Sequence, residues 1–151
     1  MKTPFIEILK TVFKKDLSRL QTEIESYSKE DNLWKVTDGI SNSAGNLCLH
    51  LIGNLNTYIG AELGKTGYIR ERDKEFLLKN IPREKLRSMI DETMEVVQKS
   101  LDTLTEEDLQ KEYPRSILEV QPTTAHFLVH LTTHLTYHLG QINYHRRLLD
   151  G

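Results

Sequence analysis

Four stretches of the chain repeat apolar residues at the 3.6-residue period of an α-helix, and no stretch alternates apolar and polar residues as a strand does. The first stretch begins at Thr3-Pro4, where proline is tolerated in a helical first turn, and runs Phe5, Ile8, Leu9, Val12, Phe13, Leu17, Leu20, Ile24, ending near Ser28. The second starts near Ser43, with Leu47, His50, Leu51, Asn54, Leu55, Tyr58, Ile59 and Leu63, and stops at Gly64 and Gly67. The third opens at Ile81-Pro82-Arg83-Glu84, carries Leu86, Ile90, Met94, Val97 and Leu101 inward, and fades near Thr105. The fourth is capped by Thr123-Thr124 and runs through Phe127, Leu131, His134, His138, Ile142 and His145 to Leu149. Amphipathic helices of this length bury their apolar stripes against one another, so the expected architecture is an all-α antiparallel four-helix bundle.

The connections contain no linker rich in Pro, Gly and Ser, and 151 residues suffice for one core, so a single domain over 1–151 is expected. Residues 29–42 hold turn and capping residues around an isolated Trp34 and predict an ordered connection. Residues 65–80 read as a loop with one helical turn; within it, Tyr68 to Phe76 flanks the mouth of any site, and Arg70 and Arg72 read more readily as a solvated charge run than as a carboxylate-binding pair. A net charge of -2 with both signs interspersed gives no footprint for a nucleic-acid backbone. No run approaches membrane-spanning length, and the first residues lack the apolar core of a signal peptide. The lone cysteine, Cys48, suits a reducing compartment, and the expected location is cytoplasmic.

Four of the six histidines fall between His126 and His138. On a helical wheel with His134 at zero, His138 lies at about +40°, His130 at about -40°, and Gln141 and His145 near +20°. Imidazoles four residues apart can reach one ion, but His130 and His138 stand about 12 Å apart along the axis and cannot both share it with His134. The spacing therefore leaves two pairs open, His130 with His134 or His134 with His138. The only histidine outside this helix and its extension is His50, on the face that also carries Leu47, Asn54, Thr57 and Ala61, which makes it the third candidate ligand. Three neutral imidazoles leave a coordination position open, as catalytic metal sites do. The plainer reading is a histidine stripe in a core or at a dimer seam, each ring satisfied by a hydrogen bond. Cys48 points about 200° away from His50 and is excluded, and His126 reads as a surface or boundary residue. His145 reads as structural or at the site's edge. Asp16, among Phe5, Val12 and Leu20, is either a buried partner for a histidine or arginine or a partly exposed acid at a bundle end.

Gly45-Asn46-Leu47-Cys48-Leu49-His50-Leu51-Ile52-Gly53-Asn54 and the segment from His134 through His138, Gly140 and Gln141 to Ile142 resemble the two motif regions of the DinB-like superfamily, and the resemblance spans nearly the whole chain. It implies a four-helix bundle binding a divalent metal through His50, His134 and His138, with zinc or nickel the leading ions, and places His130, Gln141 and Asn54 as supporting groups, His130 orienting His134. Characterised relatives include S-transferases and isomerases that use low-molecular-weight thiols, so the resemblance also implies a metal-dependent thiol transferase or hydrolase-like enzyme acting on a small molecule, as a homodimer. The alternative is a non-catalytic metal-binding or stress-response bundle whose ion staples two helices together. A protease is disfavoured, because the His134 to His138 interval carries no glutamate to serve as general base.

Overall fold

The computed structural model describes residues 3–115 and 119–151. Among them the chain is all-helical, with six α-helices: α1 Pro4–Ser26, α2 Ala44–Leu55, α3 Arg72–Leu77, α4 Arg83–Asp102, α5 Glu106–Gln110 and α6 Thr124–Leu149. A 3-10 segment, Glu30–Trp34, follows α1, and α2 continues without a break into a π-helical segment, Asn56–Ala61. The β-type pairings of the described residues are two isolated bridges, Thr37 with Ile40 and Glu112 with Thr123.

The long helices start where capping chemistry allows it. Thr3 accepts from the Ile6 amide at 3.0 Å with Pro4 in the first turn, Ser43 accepts from Asn46 at 3.2 Å, and Thr123 accepts from His126 at 3.1 Å. Helix α1 packs against α4 and α6, and α2 packs against the same two helices. Phe13, Leu17, Leu20 and Ile24 of α1 meet Leu51 and Leu55 of α2, Leu86, Ile90 and Val97 of α4, and Phe127, Leu131 and Leu135 of α6 in one buried cluster. Ile6 takes an inward position in the first turn, whereas Ile8 stands 59 % exposed. Trp34 lies on α2 at Gly45, where a Cβ would fall 2.6 Å from its ring, so the connection after α1 is seated by the absence of a side chain.

The helix ends depart from the periodic reading in instructive ways. The expected loop at 65–80 contains α3, and the connection after α4 contains α5, which opens on a capping box in which Thr105 and Asp108 exchange side-chain and backbone hydrogen bonds. Asp150, just beyond α6, accepts from the backbone amides of Ser28 at 2.6 Å and Lys29 at 3.2 Å and from the Asn32 amide group at 2.7 Å, joining the end of α6 to the end of α1. These bonds, led by the one from the Ser28 amide, hold its carboxyl below the ordinary range. Asp16 is buried, and its hydrogen-bond donor is the Thr136 hydroxyl at 2.7 Å rather than a histidine or arginine. No helix of the described residues is long and apolar enough to cross a membrane.

Candidate metal centre

Helix α2 presents His50 toward α6, and two successive turns of α6 present His134 and His138 toward α2. The three rings offer nitrogens that all lie within 4.8 Å of one another, with His50 Nε2 and His134 Nε2 3.3 Å apart. The rings stand edge to face, His134 to His138 at 4.6 Å between centroids and His50 to each of the others at 5.2 Å. Of the two histidine pairs that spacing leaves open, the structure brings His134 and His138 to His50. His130 stands outside the group, packs on Phe127 and makes no hydrogen bond to His134, so it does not orient that ring.

The far sides of two rings are fixed by acceptors. Gln141 Oε1 lies 2.7 Å from His138 Nδ1, which assigns the proton to Nδ1 and leaves a lone pair on Nε2. On α3, Glu75 Oε1 lies 3.0 Å from His50 Nδ1, with the same consequence for that ring. Burial pushes the Glu75 carboxyl up, but hydrogen bonds from His50 and Arg70 outweigh it and hold the group below the ordinary glutamate range. Arg70 grips it with two donors, Nε to Oε2 at 2.8 Å and Nη2 to Oε1 at 3.0 Å. Gly53 makes room for this carboxylate, since a Cβ there would collide with Glu75 Oε2. Asn46, one turn before His50 on α2, donates to the carbonyls of Glu75 and Leu78 at 2.9 and 2.8 Å and so ties the α3 arm to α2.

With the Nδ1 protons of His50 and His138 committed outward, lone pairs converge inside the group. His134 resolves the convergence poorly by itself. If its proton sits on Nε2 and faces His50, its Nδ1 is a bare acceptor, and that atom is buried without a hydrogen-bond partner among the described residues. If the proton sits on Nδ1, the donor is orphaned and two Nε2 lone pairs face each other at 3.3 Å. A cation among the three nitrogens removes the repulsion, so the donor set fits a divalent metal. Imidazolium is disfavoured here. Burial first, then the neighbouring His138 and His50, push His134 down to about 4, and burial likewise lowers His138. Neutral rings are what metal ligation requires.

A cleft of about 510 Å³ opens beside the group. His50 and His134 line it together with Asn54, Tyr58 and the guanidinium side chains of Arg70, Arg72 and Arg115. Asn54 thus faces the cleft and does not bond His50. Cys48 is fully buried in the core, where desolvation pushes its thiol up to about 12, and is no ligand or nucleophile. His126 is exposed, and His145 is buried away from the site, its Nδ1 2.7 Å from the Tyr27 hydroxyl and its Nε2 2.9 Å from the Lys35 carbonyl.

Fold and site define an all-helical protein with a partly buried three-histidine group suited to a metal ion. The profile of the family described as "Protein of unknown function (DUF1572)" matches residues 1–151, and the chain belongs to that family. Among curated proteins no match is found.

Proposed function

We propose that the chain is a DinB-like metalloprotein, an antiparallel four-helix bundle in which His50, His134 and His138 bind one divalent first-row cation, zinc or nickel, and that it is an enzyme acting on a small molecule. The observation that carries the reading is the convergence of three imidazoles whose outer nitrogens, in two of the three, are already held by Glu75 and Gln141. When bound, such a cation supplies positive charge that lowers the pKa of a thiol or water beside it, as thiol transfer and hydrolysis both require. The protein's own groups fix the ring tautomers, exclude bulk water from one side and leave the cleft side open.

The competing reading, a non-catalytic bundle stapled by its metal, calls for a closed site with no exchangeable position. The cleft that reaches His50 and His134 favours the enzyme. Peptide hydrolysis is disfavoured on chemical grounds, because Glu75, the carboxylate nearest at hand, is already engaged by His50 and by both donors of Arg70.

Elemental analysis of the untagged protein beside a His134→Ala variant tests the ligand set. About one equivalent of zinc or nickel per chain is expected, and its loss in the variant. Equal metal content in the two proteins would remove the assignment.

A further inference from the structure

Three arginine side chains line the cleft, and no carboxylate among the described residues does. Each rests on an aromatic ring. Arg70 and Arg115 lie over Tyr58, at 5.9 and 5.8 Å from its centroid, and Arg72 lies over Phe76 at 5.5 Å. Rings that brace flexible side chains reduce the entropy lost when those side chains grip a ligand. The three differ in how far their charge is already spent. Arg70 is paired with Glu75 through two donors. Arg115 lies 3.6 Å from Glu62, too far for a hydrogen bond of ordinary strength. Arg72 has no carboxylate partner among the described residues. The cleft therefore keeps an excess of positive charge and unfilled fork donors along a cavity of the size that small-molecule sites have.

A second observation on the same cleft is independent of charge. Asn54 is 5 % exposed, and its side-chain amide makes no hydrogen bond with any described residue, its Oδ1 being fully buried. A buried amide left unmade costs free energy unless something fills it, and this one lines the same cleft as the guanidiniums and His50.

We infer that the cleft binds a small molecule with an anionic head, a carboxylate or a phosphate, gripped by Arg72 and Arg115. A hydrogen-bond acceptor on it is met by the Asn54 amide nitrogen, and its other end lies against His50 and His134. The placement of that other end rests on the three-histidine reading above; the anion grip does not.

The test is calorimetric titration of the full-length, metal-loaded protein with glutaramate and with glutaramide, which match in size and differ in whether one end is a carboxylate. Glutaramate is expected to bind at least about tenfold more tightly, and the margin to vanish in an Arg72→Gln/Arg115→Gln variant. Both side chains are exposed, so the variant should fold and keep its metal, which elemental analysis of the same samples checks. Replacing glutaramate with 3-phosphonopropionamide in the same titration shows whether phosphoryl or carboxylate oxygens are preferred. Equal affinities for glutaramate and glutaramide, or a margin that survives the double substitution, would overturn the inference whatever the metal content. Absence of metal with the margin intact would instead overturn the three-histidine reading and leave the anion grip standing.

Discussion

Glu75 joins an imidazole and a guanidinium in one buried contact, and its effect on His50 can be isolated. A carboxylate behind a ligating histidine fixes the tautomer and raises the basicity of the ring, and loss of such partners costs about 10- to 100-fold in metal affinity. Glu75→Gln should lose that much in a competition with a chromophoric chelator while keeping the helical circular dichroism signal. Gly53→Ala should act in the same direction without touching any polar group, because its methyl displaces the Glu75 carboxylate. Unchanged affinity in both would show that His50 needs no orienting acid. Nothing in the sequence marks Glu75 as the partner of His50, since it lies 25 residues further on in a charged stretch. The sign that was there is Gly53, a glycine inside a helix, which reports close approach by another group. Gln141 was legible because it shares the helix face of His138 at a separation of three.

At the scale of elements, the long helices were legible because their apolar periods are long and their first turns carry Thr3-Pro4, Ser43, Pro82 and Thr123. Helix α5 was missed although Thr105-Glu106-Glu107-Asp108 spells a capping box, because five residues show no period. The π-helical segment at the end of α2 was not legible, since its frame is set by tertiary contacts: Asn56 reaches Thr93 on α4 at 2.9 Å, and the Tyr58 carbonyl accepts from the Tyr113 hydroxyl at 2.5 Å. The junction of α1, the 3-10 segment and α6 makes a pH prediction. His145 accepts from Tyr27 on one nitrogen and donates to the Lys35 carbonyl with the other, and burial holds its pKa below the ordinary histidine value of about 6.5. The unfolded ring takes up a proton near 6.5 and the folded ring only below it, so between those values the unfolded state binds more protons. Stability is therefore full above that window and falls as pH drops through it. Urea midpoints of the chelator-treated protein should be lower at about pH 5.5 than at about pH 7.5, and the difference should shrink in His145→Gln.

Across the whole molecule, the buried cluster joins all four long helices, and a metal bound as proposed should add to the stability it provides. Phe13→Ala, at a position with no exposed surface, should cost about 3–5 kcal/mol, read from denaturant unfolding. Free metal at about 100 times its Kd should contribute about 2.7 kcal/mol, and for a chain of this size that raises Tm by several degrees. A chelator should reverse the rise, and His134→Ala should show neither response. What no pattern in one sequence reveals is how the α3 arm is held. Glu75 is the one buried residue of α3, Phe76 packs at a tilt against His50 with 5.1 Å between centroids, and α2 is the helix against which α3 chiefly packs. An arm fastened partly through Glu75, the hydrogen-bond partner of His50, should not order itself independently of what His50 holds. On the proposed metal site, occupancy of the three imidazoles and ordering of residues 68–78 should be linked, so amide protons in that arm should exchange more slowly when metal is present, and whatever pins the arm should tighten the metal by the same factor.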